Sequence, residues 1–164
     1  MDTHAGSGLP RRASVVVVGG GVIGTSVAFH LAEAGVPDVV LIERDELAAG
    51  STSKAAGGVR AQFSDALNVQ LGARSLRAFA DFGARPGHEI DFRPVGYLFL
   101  LSREQDVAAF ERSIALQNRL GVPSRLLDPS EATRLSPPID TNGLLAAAFS
   151  PEDGLATPEA VVQG

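Results

Sequence analysis

The first strong pattern in the chain is a continuous apolar run. Positions 15–18 are four valines, which favour an extended strand, and three glycines follow them directly. The next residues are small and apolar, as in a buried helix, and a second apolar run occupies residues 38–42. Between them, Gly35 lies where a helix C-cap is expected and Pro37 acts as a breaker. The pattern therefore predicts a βαβ unit.

The rest of the chain has the pattern of a mixed α+β segment. Residues 64–82 predict a helix that packs through one apolar arc, formed by Leu67, Leu71, Ala78 and Phe82. Residues 93–102 and 143–150 have the composition of apolar strands. Three further helix starts are predicted from capping residues: Ser102 with Gln105, Asp128 with Pro129, and Thr157 with Pro158.

The glycines after the first strand fit the motif G-x-G-x-x-G. Gly19 permits the turn, Gly21 lets a pyrophosphate approach the bare backbone, and Gly24 lets the helix lie close to the strand. The N-terminus of the helix then offers unpaired N–H groups and a positive dipole to phosphates. Because strands flank the motif on both sides, we predict a dinucleotide site rather than a glycine-rich loop without a ligand.

Glu43 ends the second strand, where a carboxylate can accept hydrogen bonds from both hydroxyls of an adenosine ribose. The same charge would repel the 2′-phosphate of NADP, which we therefore exclude as the primary ligand. FAD and NAD both stay open from these residues alone. An NAD-dependent dehydrogenase predicts a third parallel strand soon after Glu43, and the small residues found there argue against it.

Composition narrows the function. The chain has 164 residues, one domain by size, with a net charge of −5 that gives no case for binding nucleic acid. It contains no cysteine, which excludes disulfides, thiolate catalysis, cysteine-ligated metals and a cysteine-linked flavin, and we predict no metal site.

Arg11 and Arg12 precede an apolar run that resembles a twin-arginine signal or a short membrane span. The nucleotide motif explains the glycines in this run, and no A-x-A-like cleavage site follows it. We therefore expect residues 1–12 to form a disordered tail, and we expect a cytoplasmic protein without a membrane span.

Residues 43–63, ERDELAAGSTSKAAGGVRAQF, form a run of small side chains that we call the small-residue run. Such a run without helix or strand periodicity is usually functional, because small residues let the backbone approach a ligand. It emerges from the carboxyl end of the second strand, the edge where open α/β sheets bind ligands.

GGGVIG, the small-residue run, VGYLFL and SPEDGLATPEAVVQG together resemble the amino-terminal part of FAD-dependent oxidoreductases of the D-amino-acid oxidase superfamily. The similarity is strongest to the branch of the sarcosine oxidase β-subunit, dimethylglycine dehydrogenase and glycine oxidase. This resemblance implies noncovalent FAD and oxidation of a secondary amine or amino acid by hydride transfer to the flavin. The implied cofactor-binding residues are Gly19, Gly21, Val22, Ile23, Gly24, Glu43, Arg44, Ser51, Thr52, Ala56, Gly57 and Gly58.

Two basic residues refine that expectation. Lys54 stands where some members carry a histidine linked covalently to flavin, so the resemblance implies a noncovalent cofactor. Arg60 matches an arginine that contacts the substrate carboxylate in sarcosine oxidase relatives, and a planar guanidinium suits that role. A surface salt bridge is the alternative for Arg60. His88 is expected in a loop, and Tyr97 either lines a substrate pocket or belongs to the core.

The resemblance also divides the chain. It predicts the first part of an FAD-binding domain at 13–84, the first part of a substrate-binding domain at 85–157, and the start of a returning helix at 158–164. We thus expect a Rossmann-like unit in an incomplete α/β fold, as in an amino-terminal fragment. Expected partners are a small amine or amino-acid substrate and a partner subunit or electron acceptor. A non-catalytic nucleotide-binding subunit of a complex stays open as the alternative.

Overall fold

A computed structural model describes residues 10–164 of the protein. The predicted disordered tail lies outside the described residues except for Pro10, Arg11 and Arg12, which are exposed. The elements are β1 Val15–Val18, α1 Val22–Glu33, β2 Val39–Ile42, β3 Gly58–Val59, α2 Ala66–Ala80, β4 Tyr97–Leu101, α3 Glu104–Arg119, β5 Arg125–Leu127, α4 Pro129–Leu135, β6 Ala146–Ser150, β7 Gly154–Leu155 and α5 Pro158–Gln163.

The predicted βαβ unit is confirmed. Strands β1 and β2 pair in parallel, with Val15 opposite Val39 and Val18 opposite Ile42, and α1 forms the crossover between them. Gly35 follows the helix in the left-handed region at φ +78°, which a glycine adopts without steric cost. Within residues 10–164 this parallel sheet has only two strands, so the third parallel strand expected of an NAD-dependent dehydrogenase is not found there.

A second, antiparallel sheet has the strand order β4-β6-β5 and is covered by a helix on each face. Alternation along β6 explains this arrangement, because successive side chains of a strand point to opposite faces. Ala146 and Ala148 pack with Ile114 of α3, whereas Ala147 packs with Ala132 of α4. The alanines keep the strand thin enough for both helices to approach it.

The predicted packing face of α2 is wrong in part. The buried residues of this helix are Val69, Gly72 and Leu76, whereas Leu67 is 65% exposed and Leu71 is 53% exposed. Gly72 explains the difference, since a Cβ at that position would lie 2.8 Å from the Cα of Ala61. The helix therefore packs against Ala61 through its smallest residue rather than through its largest ones.

The predicted helix caps have mixed outcomes. Helix α3 begins after Arg103, which donates to the Asp106 carboxylate at 2.6 and 2.9 Å, so the prediction of Ser102 as its N-cap is wrong. The ion pair stabilises a start one residue later than expected. Asp128 caps α4 in a full capping box with Glu131, as predicted.

The two-residue strands β3 and β7 pair antiparallel, with Gly58 opposite Leu155 and Val59 opposite Gly154. A short strand thus interrupts the small-residue run, and it ties this run to the end of the chain. Helix α5 then packs against α1. The domain boundaries at residues 84 and 157 stay predictions. None of the helices in the described part of the chain has the length and apolarity needed to cross a bilayer.

Candidate cofactor and substrate cleft

The glycine turn after β1 has the geometry that the motif requires. Gly19 has φ +108°, and its N–H donates to the carbonyl of Ile42 at 2.8 Å, which joins the turn to β2. A Cβ added at Gly24 would collide with the carbonyl oxygen of Gly19 and lie 3.5 Å from Val17. Glycine at position 24 therefore allows α1 to start directly beside β1.

The N-terminus of α1 is not neutralised by its own side chains. Its N-cap is Gly21, which offers no side-chain acceptor, and its first turn contains no acidic residue. The hydroxyl of Thr52 accepts the N–H of Val22 at 3.1 Å, which brings the small-residue run onto this end of the helix. The positive end of the helix dipole and bare backbone thus meet at one place, a favourable site for an anion.

The Glu43 carboxylate lies beside the glycine turn. One oxygen accepts the N–H of Gly20 at 2.6 Å, and the other accepts those of Arg44 at 2.7 Å and Asp45 at 3.1 Å. The hydrogen bond from Gly20 lowers the pKa of Glu43 most, followed by those from Asp45 and Arg44. A carboxylate has about four acceptor sites, so this arrangement leaves one for a ribose hydroxyl. The predicted contact with both hydroxyls stays a prediction.

A cleft of about 510 Å³ opens between the start of α1, the small-residue run and the start of α5. Seven of the residues predicted from the sequence line it: Val22, Ser51, Thr52, Ala56, Gly57, Gly58 and Arg60. Gly57 has φ +75°, and a Cβ there would collide with the carbonyl oxygen of Ala156. The run therefore lies against Ala156 at a position that only glycine fits without strain.

Arg60 lies at the edge of this cleft among three aromatic rings. Its guanidinium carbon is 5.6 Å from the ring centre of Phe63, 5.5 Å from that of Tyr97 and 5.3 Å from that of Phe99. These distances are within the range of cation–π attraction. No carboxylate of residues 10–164 lies within ion-pair distance of Arg60, so the surface salt bridge considered for it does not form there.

Other predicted residues lie away from the cleft lining. Ile23 is 74% exposed, and Arg44 extends into solvent, where it pairs with Asp45 at 3.2 Å. Gly19 and Gly24 shape the turn behind the cleft. Lys54 is exposed beside the cleft-lining residues, and His88 is exposed in a loop, as expected.

The cleft is also lined by residues for which the sequence predicted no role, and by one residue, Tyr97, for which it left two roles open. Tyr97 of β4 lines the cleft and is half-buried. Its contact with a substrate stays a prediction. Phe79 of α2 contributes from one side, and Ala156, Pro158 and Val161 contribute from the end of the chain. The signal for the last three was the segment SPEDGLATPEAVVQG, which carried the resemblance and the expectation of a helix returning to the FAD-binding domain. Phe79 had no such signal.

Comparison with known proteins decides the family. Residues 14–164 match the family model DAO, FAD dependent oxidoreductase. The chain belongs to the DAO family of FAD-dependent oxidoreductases. The match begins at the residue before β1 and includes the glycine turn, the small-residue run and the cleft.

Three DAO relatives show the extent of the similarity. Mitochondrial dimethylglycine dehydrogenase of Rattus norvegicus is 32% identical over 148 residues, 90% of this chain and 17% of the relative. The mitochondrial pyruvate dehydrogenase phosphatase regulatory subunit of Mus musculus is 30% identical over 149 residues, 91% of this chain and 17% of the relative. The crystal structure of L-proline dehydrogenase from P. horikoshii has a TM-score of 0.88 and 37% identity, over 94% of this chain and 41% of that chain.

FAD is the cofactor of the DAO family, and the residues at the cleft fit it. Bare backbone at Gly21, an unneutralised helix start and a hydroxyl at Thr52 suit a pyrophosphate. The pKa of Glu43 is lowered, which keeps the carboxylate ionised near neutral pH beside the glycine turn. Among the described residues, no three His, Cys, Asp or Glu side chains come together as metal ligands.

Proposed function

We propose that the full-length protein oxidises a secondary amine or amino acid, with FAD held across α1 and the small-residue run. The observation that carries this proposal is the cleft. It joins the start of α1, the loop at residues 51–58 and the exposed guanidinium of Arg60, which lies over three aromatic rings. The chain covers 41% of the chain of L-proline dehydrogenase from P. horikoshii. In this proposal, residues of the full-length protein outside this chain complete the site.

FAD, when bound, would accept a hydride from the carbon beside the substrate nitrogen. In this proposal Gly21 and the start of α1 hold the pyrophosphate, and Glu43 holds the adenosine ribose. Ser51, Thr52, Ala56, Gly57 and Gly58 border the redox half of the cofactor. Lys54 cannot form the histidine linkage found in some members, so the cofactor is held noncovalently.

Arg60 binds the carboxylate of an amino-acid substrate in this proposal. Its guanidinium has no carboxylate partner within residues 10–164, so its charge is available to a ligand. The rings of Phe63, Tyr97 and Phe99 hold the group in place without consuming its hydrogen-bond donors. A planar guanidinium can then donate two parallel bonds to one carboxylate.

The experiment mixes the full-length flavoprotein anaerobically with sarcosine, dimethylglycine, glycine and L-proline, and follows the loss of visible flavin absorbance. We expect at least one of them to reduce the flavin. Arg60→Met should then lower kcat/KM for that substrate by about a hundredfold or more, while the long apolar side chain keeps the ring contacts.

Arg125→Met is the matched control. Arg125 also lies over an aromatic ring, with 5.5 Å to the ring centre of Phe149, but it is on β5, away from the cleft. Its variant should keep kcat/KM within about twofold, as expected of a surface substitution. A full-length protein that binds FAD but is reduced by none of the four compounds would count against this substrate class, as would equal losses in both variants.

A second candidate is a nucleotide-binding subunit without catalysis. A relative named as a regulatory subunit is 30% identical to this chain over 91% of its length, which supports this candidate. This candidate predicts bound FAD that no amine reduces at any pH, with unchanged binding of FAD in Arg60→Met. Flavin reduction by an amine would exclude it.

A further inference from the structure

Asp153 is a fully buried carboxylate in the turn between β6 and β7, with 0% of its surface exposed. One of its oxygens accepts the backbone N–H of Ala61 at 3.0 Å, and the other accepts the side-chain amide of Gln62 at 3.3 Å. Ala61 directly follows Arg60. The buried acid therefore bonds to the backbone next to the cationic residue of the cleft.

The same acid also reaches the strand that carries Tyr97. The amide nitrogen of Gln62 donates to the carbonyl of Tyr97 at 2.9 Å as well as to Asp153. The backbone carbonyl of Asp153 accepts the N–H of Gly96 at 2.7 Å. The guanidinium carbon of Arg60 lies 5.5 Å from the ring centre of Tyr97. Asp153 therefore holds the chain within two residues of Arg60 and also within two residues of Tyr97.

Burying the Asp153 carboxylate costs free energy, which indicates that the residue does more than hold the backbone in place. Burial raises the pKa of Asp153, while the hydrogen bonds from Ala61 and Gln62 and the charge of Arg60 act in the opposite direction. A buried carboxylate is expensive compared with an apolar residue of similar size. Moreover, the β3–β7 pairing already joins Gly58 to Leu155 and Val59 to Gly154.

We propose that Asp153 is a positioning residue for the cleft, whose carboxylate fixes Arg60 against the ring of Tyr97 so that the guanidinium can receive a substrate carboxylate. This assignment rests on the proposed function of Arg60. It adds a residue from the opposite end of the described chain that touches neither substrate nor cofactor and acts through Ala61 and Gln62.

The test measures the binding of acetate, a probe of the carboxylate subsite, to the full-length flavoprotein. The change in the flavin absorption spectrum reports the binding. Asp153→Asn keeps the size of the side chain but turns one acceptor into a donor that faces the Gln62 amide. We expect the Kd for acetate to rise about five- to tenfold. Asp140→Asn, in an exposed turn where Asp140 accepts the N–H of Asn142 at 2.9 Å, should leave the Kd unchanged.

The double variant separates positioning from general stability. In an Arg60→Met background, Asp153→Asn should have no further effect on acetate binding, because the group it positions is already gone. An Asp153→Asn variant that binds acetate with the Kd of the wild type would overturn the positioning role of Asp153, even if its Tm falls. An equal loss of acetate affinity with and without Arg60→Met would also overturn it. Acetate binding that does not change in Arg60→Met would overturn the proposed role of Arg60, and this inference with it.

A second variant decides the matter if Asp153→Asn does not fold. Gln62→Met leaves the bond between Asp153 and Ala61 in place and removes the bonds of the Gln62 amide to both Tyr97 and Asp153. We expect a threefold to fivefold rise in the acetate Kd, because Asp153 is then no longer linked to Tyr97 through Gln62. A Kd equal to that of the wild type in this variant would overturn the proposal.

Discussion

The carboxylate of Glu43 accepts the backbone N–H of Gly20 at 2.6 Å, across 23 positions of sequence. The acid that ends β2 therefore fixes the middle of the glycine turn that follows β1. A Cβ at Gly20 would lie 2.5 Å from Cδ2 of Leu47 and 3.0 Å from the Cβ of Glu43, so these side chains pack closely on the turn. The carboxylate thus has a structural duty beside the one proposed toward ribose.

Glu43→Gln should weaken FAD binding by about tenfold, because an amide places a donor against the N–H groups of Arg44 and Asp45. FAD dissociation from the full-length protein, followed by flavin fluorescence, measures this. Glu46→Gln is the control, since Glu46 is exposed in the same loop. Equal FAD affinities in both variants would contradict a role for Glu43 in the site.

The pH dependence of the same site has a defined sign. Hydrogen bonds from Gly20, Asp45 and Arg44 lower the pKa of Glu43 below its usual value of 4.5. The stabilisation that the ionised group provides is therefore complete above about pH 4.5, and it is lost as the pH falls through the lowered pKa. FAD release from the wild type should show this step below about pH 4.5, where the carboxylate that holds the glycine turn becomes protonated. The Glu43→Gln variant should lack this step. If the step persists in the variant, it belongs to another titrating group.

Gly57→Ala should strongly reduce FAD binding. The residue has φ +75°, a region that costs a residue with a Cβ about 1–3 kcal/mol, and the new Cβ would also collide with Ala156. We expect the FAD Kd to rise about tenfold or more. Gly50→Ala is the matched control in the same run, because nothing lies within 4 Å of a Cβ at Gly50. The two variants should differ in the ratio of flavin to purified protein.

Helix α2 offers a test of the core. Leu76→Ala removes a side chain that is 6% exposed and should cost about 2–5 kcal/mol of unfolding free energy. Leu67→Ala, on the same helix but 65% exposed, should change it by less than about 0.5 kcal/mol. Denaturant unfolding of the two full-length variants measures the difference. A larger loss for Leu67→Ala would restore the packing face predicted from the sequence.

Local features of the structure followed from the sequence. The βαβ unit, the turn at Gly19 and the cap of α4 at Asp128 each depend on residues close together in the chain. Their causes, such as backbone conformation and capping by a neighbouring side chain, can be identified from a short window of sequence. The cytoplasmic location and the individual cofactor contacts stay predictions.

Features that depend on distant segments were missed or misplaced. The buried face of α2 is determined by the close approach of Gly72 to Ala61. The spacing of apolar residues along the helix does not indicate this approach. The surroundings of Arg60 come from Tyr97 and Phe99 on β4. Asp153 reaches Ala61 across 92 positions. Such contacts are set by tertiary packing, for which a single sequence offers no local signal.

A crystal structure of the full-length protein with FAD tests directly where the cofactor binds. We expect the pyrophosphate at Gly21 and Thr52, with the adenosine ribose bonded to Glu43. We also expect the redox half of the cofactor along residues 51–58, next to Arg60. FAD bound elsewhere on the protein, or a ribose with no hydrogen bond to Glu43, would contradict this expectation.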